Sequence, residues 1–242
     1  MASRDVAART GIKVLSTTAM KAVFEELAPR FEREAGARLA VTLGPSLRLE
    51  KLIADGETPD VAIVTAAGIA TLAAQGRLVA GSATAIARSS IGVCVARGAP
   101  RPDLASAAGF KAALLAAKAV ALSKPVGGGA SGVHMAKVFD RLGIAAAMQA
   151  KARYGAGGPG GLAALAVLRG EADLGIQQMS ELKAVPGVDV VGPLPVELQS
   201  VTVFTAAIAA AAAHPRIAHD LIRFLGTAAA RAVIAAKGLD PA

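Results

Sequence analysis

Residues 11–46, GIKVLSTTAMKAVFEELAPRFEREAGARLAVTLGPS, decide the fold class. Ile12–Ser16 is a short apolar run that reads as a strand, and the hydroxyls of Ser16, Thr17 and Thr18 follow it. From Ala19 to Ala35 the apolar residues fall at helical spacing. Val23, Leu27 and Phe31 lie at i, i+4 and i+8, flanked by Phe24 and Ala28. Pro29 sits inside that pattern, where a proline costs ~3 kcal/mol and is expected to kink the helix. Gly36 ends it, Leu39–Leu43 reads as a second strand, and Gly44-Pro45-Ser46 opens a helix over Ser46–Ala54. Strand, helix, strand, helix at this spacing predicts a parallel sheet with helices packed on it.

Working outward, Val61–Val64 reads as a strand and Ile69–Ala74 as a helix ending at Gly76. Two β-rich runs, Thr84–Ala87 and Ile91–Ala96, break the alternation. It then resumes through helix Phe110–Ala117, strand Ala119–Leu122, helix Val133–Leu142, strand Ala150–Arg153, helix Leu162–Arg169 and strand Leu174–Gln177. Val188–Val191 begins another strand, and Gly192-Pro193-Leu194-Pro195 reads as a stiff linker. Val201–Ala209 is β-branched at its start and reads as a strand; helices over Ile217–Leu225 and Ala228–Ala236 close the chain. Two α/β blocks, 12–80 and 105–192, are thus joined by β-rich segments. The expected organisation is two lobes, 1–86 with 200–242 and 87–199, linked by two crossing strands that act as a hinge. In such open sheets ligands bind at the carboxyl ends of the strands, which here places a cleft between the lobes.

Composition narrows the function. The chain has 242 residues, 54% of them hydrophobic and 18% charged, with mean hydropathy +0.51, enough for a sizeable core. Its longest apolar stretch, Val201 to Ala213, contains two threonines and falls short of the ~18–20 residues a membrane-spanning helix requires. A net charge of +8 favours anionic partners. Aromatics are only 3%, Trp is absent, Tyr154 is the sole tyrosine, and the cations are spread singly. That argues against nucleic acid and for small anions. Cys94, the single cysteine, lies in the apolar run Ile91–Val95 and reads as a buried thiol; no zinc cluster can be assembled. Residues 1–11 carry no apolar leader, so the expected compartment is periplasmic if a leader has been removed and cytoplasmic otherwise.

Four strand-to-helix junctions are rich in small and hydroxyl residues: Ser16–Ala19, Gly44-Pro45-Ser46, Gly127–Gly132, and Gly155–Gly161 with five glycines in seven. A helix N-terminus offers free N–H groups and about half a positive charge, and glycine lets an anion approach the backbone. Each junction taken singly reads as well as a helix cap or a turn. Four facing one cleft would hold an oxyanion or carboxylate without metal or cofactor. The glycine tracts match no nucleotide fingerprint, since Gly127–Gly132 lacks Gly-Lys-Ser/Thr and Pro159 interrupts the second tract. His134, in the first turn after Ser131-Gly132, is a candidate for anion contact or proton transfer. Arg153 and Tyr154 end one strand and Gln177-Gln178 another, where each pair suits a carboxylate or a solvated strand end.

The segments Ile12–Ala19, Phe31–Gly36, Gly44–Ile53 with Pro59-Asp60, Ala130–Gly143 and Gly170–Gln178 together resemble the type 2 periplasmic solute-binding proteins, in their molybdate-binding branch. That resemblance spans nearly the whole chain and implies a two-lobed α/β fold with crossing hinge strands and a central anion cleft. In the family two serines, backbone amides and a tyrosine hold a tetrahedral oxyanion. Carried across, Ser46 matches the second-loop serine, Ser131-Gly132 the third-loop amide donors, and Gly160 the fourth loop. Ala19 stands where the first serine is expected, beside Thr17 and Thr18, and Gln178 stands where the tyrosine is expected. Losing two hydroxyl donors shifts the expected ligand from molybdate towards small carboxylates.

A subgroup of the branch, which includes aconitate isomerase, is similar at Ala87-Arg88-Ser89 before Ile91-Gly92-Val93, at Ser131-Gly132-Val133, at Gln177-Gln178 with Ser180-Glu181-Leu182, and at Val191–Pro195. The resemblance therefore implies either a solute-binding protein feeding an ABC transporter permease or an isomerase on the same scaffold. A cytoplasmic ligand-sensing module is a third reading. The isomerase would make an allylic proton shift, with Arg88, His134, Tyr154 and Gln178 as candidates for carboxylate binding or proton transfer and the base unassigned.

Overall fold

The computed structural model describes residues 11–155 and 161–242. Its first unit runs β1 (Gly11–Thr17), α1 (Lys21–Ala35), β2 (Arg38–Gly44), α2 (Ser46–Ala54), β3 (Val61–Thr65) and α3 (Ala66–Ala74). A 3-10 turn over Thr18–Met20 joins β1 to α1. β4 (Thr84–Ala96) leads to the second unit: α4 (Ala107–Ala116), β5 (Val120–Leu122), α5 (Ala130–Arg141), α6 (Ala145–Lys151), β6 (Ala152–Tyr154), α7 (Ala163–Leu168), β7 (Leu174–Gln178), α8 (Met179–Lys183) and β8 (Val188–Pro193). β9 (Val201–Ile208), α9 (Pro215–Leu225), α10 (Ala228–Ala236) and the short β10 (Asp240–Pro241) complete it.

The strands form one hydrogen-bonded path in the order β2-β1-β3-β9-β4-β7-β5-β6, with β8 and β10 also paired to β4. β1 is parallel to β2 and β3, and β5 is parallel to β6 and β7; β9 and β4 run antiparallel between these two groups. The two β-rich runs read separately at Thr84–Ala87 and Ile91–Ala96 are one 13-residue strand. Its first half, Thr84–Ser90, pairs with β9, and its second half, from Ile91, pairs with β7 and β8. Arg88 and the serines between the two runs break the apolar pattern without breaking the ladder, because the backbone bonds do not depend on the side chains.

Each half-sheet is covered on both faces, so its strands read as continuous apolar runs. In β1 and β3, Val14, Val61 and Ile63 face a cluster with Val23, Leu27 and Phe31 of α1 and Leu221, Leu225 and Ile234 of the C-terminal helices. Their neighbours Leu15, Ala62 and Val64 face Leu49, Ile53, Ile69 and Leu72. The period of two repeats in the other half. Val93, Val120 and Leu122 pack with Phe110, Met135 and Phe139, whereas Cys94 and Ala121 pack with Ala163, Val167 and Leu182. Burial pushes the Cys94 thiol up to about 12, as expected of a structural cysteine.

α1 runs through Pro29, which lies on its exposed side, where water can take the carbonyl that loses its intrahelical donor. Three local outcomes differ from the pattern reading. The strand read at Ala150–Arg153 begins at Ala152, because Ala145–Lys151 is a helix that buries only Met148 and so shows no amphipathic period. α8 also passed unread, being five residues long. Gly192-Pro193, read as linker, belongs to the end of β8.

Asp60 ties the first half together. It is buried, and its carboxylate accepts from the backbone N–H of Lys13 at 2.8 Å and of His214 at 2.7 Å, joining the start of β1 to the approach of α9. Asp60→Ala would strand two amide donors, at about 1–3 kcal/mol each. The expected result is a fall in Tm of about 5–10 °C by circular dichroism; a fall under about 2 °C would show that the pair is not structural.

Candidate functional site

The carboxyl ends of β1, β2, β5 and β7 open on one cavity, its mouth open to solvent. β1 delivers Thr17 and Thr18, β2 delivers Pro45 and Ser46, β5 leads to Ser123 and Lys124, and β7 delivers Gln177 and Gln178. Two helices point their N-termini into it. α2 begins at Ser46 behind Pro45 and α5 at Ala130 behind Gly129, and no side chain caps either end. α3, α4 and α10 are capped by the hydroxyls of Thr65, Ser106 and Thr227, whereas α1, α6, α7, α8 and α9 also start without a side-chain cap. The free first-turn amides of α2 and α5 supply partial positive charge and N–H donors to the cavity.

Side chains extend this donor set. Ser46 and Ser131 are almost fully buried on the wall, and Ser131 Oγ lies 3.5 Å from Ser123 Oγ. Thr18 Oγ1 and Gln178 Oε1 are buried with no hydrogen-bond partner among the described residues. Gln178 Nε2 donates to Thr202 Oγ1 at 3.0 Å, which ties β7 to β9, and Gln177 Oε1 accepts from Ala163 N at 2.7 Å. Glycines make the close approach possible: a Cβ on Gly132 would run into the carbonyl oxygens of Ser123 and Lys124, and one on Gly128 into the Lys124 carbonyl.

Three charged residues line the cavity among those described: Arg48, Lys124 and Glu181. Arg48 lies in the first turn of α2 and Lys124 just after β5, giving the site a positive balance. Glu181 in α8 is 8% exposed. Burial pushes its carboxyl up to about 8, against opposing hydrogen bonds involving the Gln178 backbone and the Gln177 side chain. Among the described residues no cluster of His, Cys, Asp or Glu suited to a metal is present.

Of the residues singled out from sequence, Thr17, Thr18, Ser46, Ser131 and Gln178 meet on this cavity. Gly160 lies outside the described residues. Gly132 and Tyr154 line a neighbouring cavity instead, the Gly132 N–H donates to Gly129 O, and Tyr154 is 45% exposed. His134 turns away: its Nε2 lies 2.7 Å from Leu198 O, holding α5 to the turn before β9. Arg88 is exposed on β4, opposite Val203 of β9 and Asp240 of β10, and does not line the cavity. Sequence reasoning missed Arg48, Ser123, Lys124 and Glu181 as cavity residues. The sign for Arg48 was available, two positions into a helix already read as opening on the cleft.

A two-lobed α/β fold built around uncapped helix ends is that of the solute-binding proteins. Residues 12–240 match the family described as bacterial extracellular solute-binding protein, and the chain belongs to it. Over 238 residues it is 34% identical to an aconitate isomerase of Pseudomonas sp., covering 96% of this chain and 88% of that one. Among solved structures it superposes on the periplasmic molybdate-binding protein of Azotobacter vinelandii with a TM-score of 0.78, at 22% identity over 94% of this chain and 98% of that one. It also matches the sulfate-binding protein of Mycobacterium tuberculosis at a TM-score of 0.73, 16% identical over 96% of this chain and 87% of that one. These two structures share its fold. No helix among the described residues is long and apolar enough to cross a membrane.

The neutral state of Glu181 has a measurable consequence. Between the ordinary carboxylate value of 4.5 and about 8, the unfolded chain releases a proton that the folded cleft retains. Its contribution to stability is therefore most favourable below about 4.5 and declines as pH rises to about 8. Glu181→Gln removes that decline. The expected outcome is a Tm difference that grows in favour of Glu181→Gln from pH 5 to pH 8; parallel Tm curves for the two proteins would contradict a buried neutral carboxyl.

Proposed function

We propose that this protein captures a small anion, a di- or tricarboxylate or a molybdate-like oxyanion, between two closing lobes in the periplasm, and passes it to an ABC transporter permease. The observation that carries this reading is the convergence of two uncapped helix N-termini with Ser46, Ser131, Arg48 and Lys124 on one cavity. The lobes are taken as 1–86 with 200–242 and 87–199. Closure bends β4 and β9 near residues 84–90 and 197–205. Ser46 then reaches the ligand from one lobe and Ser131 from the other, with Thr17, Thr18 and Gln178 lining the same cavity. Ala19 is buried in the core beside α1, so the donor expected there is absent, and Gln178 presents an amide where the family's tyrosine is expected. Both substitutions favour a planar carboxylate, which accepts from amides and hydroxyls in its own plane, over a tetrahedral oxyanion.

A second reading, an isomerase on the same scaffold interconverting cis- and trans-aconitate, is favoured by a specific observation: the 34% identity to an aconitate isomerase runs along almost the whole chain. One fold hosts both binding and catalysis, so the site must decide.

A thermal-shift panel of molybdate, tungstate, sulfate, citrate, cis-aconitate and trans-aconitate tests the binding reading. A ligand at 100 times its Kd adds about 2.7 kcal/mol and raises Tm by about 5–10 °C in a chain of this size. The expected outcome is a shift with the tricarboxylates, reduced at equal concentration in Ser46→Ala by the equivalent of about tenfold in Kd. A shift confined to molybdate and tungstate would reverse the carboxylate preference. An unchanged affinity in Ser46→Ala would remove Ser46 from the site.

A further inference from the structure

We propose that Glu181 is the catalytic acid–base of this cleft, taking a proton from the methylene carbon of a bound unsaturated tricarboxylate and returning it to the far end of the same allylic unit. The proposal rests on the isomerase reading above and assigns the base which that reading lacks.

The placement of Glu181 carries the argument. It is the one carboxylate lining the cavity among the described residues, beside Gln177 and Gln178 of β7. In a site whose remaining charges are Arg48 and Lys124, it is the one charged group that can both accept a proton and, once protonated, return it. α8 follows β7 directly and packs against the 3-10 turn Thr18–Met20, so Glu181 sits where the two halves of the molecule meet. The other proton-carrying side chains considered for this chemistry are elsewhere, since His134 is bonded to Leu198 O and Tyr154 lines the neighbouring cavity.

The surroundings suit a base. The elements packed on α8 bring few competing charges: β7, α7 and the 3-10 turn carry none, and β4 brings the exposed Arg88 and the buried Cys94 thiol. β8 brings Asp189, whose carboxylate accepts from Gly98 N. α8 itself adds Lys183, whose side chain lies against Gly238. Glu181 therefore shares its proton with no second carboxylate of the cavity. The burial that raises its proton affinity makes the ionised form a stronger base than a solvated glutamate.

The reaction balances without a co-reactant. Ionised Glu181 removes a proton from the methylene carbon, the C–H electron pair delocalises over the three allylic carbons into the adjoining carboxylate, and Glu181 becomes the neutral acid. Its O–H then protonates the other terminal carbon. The double bond has moved by one position, and Glu181 is ionised again. The negative charge that develops on the substrate carboxylate faces the free amides of α2 and α5 and the cations of Arg48 and Lys124, which are fixed before the reaction begins.

The test follows cis- and trans-aconitate by proton NMR with the unsubstituted protein, Glu181→Gln and Glu181→Asp, alongside the Tm shift each ligand produces. The expected result is interconversion by the unsubstituted protein, with kcat/KM rising with pH and levelling near 8. Glu181→Gln should keep the tricarboxylate-induced Tm shift and lose turnover by ~10²–10⁴-fold. Glu181→Asp, which keeps the acid and shortens its reach, should restore part of kcat at a similar KM. An active protein whose Glu181→Gln variant turns over within tenfold of it overturns the proposal and leaves the isomerase reading standing. A protein that binds the aconitates and does not interconvert them overturns both.

Discussion

The structure depends on one strand. β4 is hydrogen-bonded to β9 and β10 along its first half and to β7 and β8 along its second, so the two half-sheets share a continuous ladder. Backbone amides in a sheet interior must be paired, which makes this strand hard to remove from either half. Besides its buried side chains, it has one position where only glycine fits closely. A Cβ on Gly92 would press on Met179 Sδ and lie 3.0 Å from Gly192 O. The bare backbone at Gly92 lets β8 and the start of α8 close on β4. The position of Glu181 in the cavity follows from that contact.

Around this ladder the open-sheet arrangement performs the same operation twice. A parallel strand ends, a small residue turns the chain, and a helix starts with its amides aimed back across the strand ends. Because α2 and α5 come from different halves of the path, their partial charges meet only through the fold. The helices start behind Pro45 and Gly129, neither of which has a side chain able to cap. The amides that a serine or threonine would otherwise satisfy are left for the cavity. Thr18 extends the same economy to a side chain, its buried hydroxyl left unpaired at the wall among the described residues.

A carboxyl inside this positive site resolves the apparent contradiction through its environment. Burial keeps the proton on Glu181 near neutral pH, so the resting cleft carries Arg48 and Lys124 without an opposing charge. Binding an anion and holding a proton thereby become compatible in one cavity.

Much of the fold is legible in sequence, and the reasons are local. The period of 3.6 in Val23, Leu27 and Phe31 and the apolar runs of β1, β3 and β7 declare their elements, because burial on one face or both leaves a pattern in the chain itself. Ser46 and Ser131 are legible as candidates for an equally local reason: each lies in the first turn of a helix entered from a strand through a glycine-bearing loop. α6 escaped because an alanine-rich helix burying only Met148 shows no period, and β4 was divided because its central polar residues conceal an unbroken backbone ladder. Glu181 lies in Ser180-Glu181-Leu182, whose spacing alone gives it no role. Whether a glutamate is solvated or buried, and which cations face it, depends on residues as distant as Thr18, Arg48 and Lys124. Residue type and spacing thus determined the α/β alternation, the net positive charge and the hydroxyl-bearing junctions. Only the tertiary structure decided which junctions converge, that His134, Tyr154 and Arg88 stand apart from them, and that Glu181 joins them, because desolvation and electrostatic fields are set by neighbours in space.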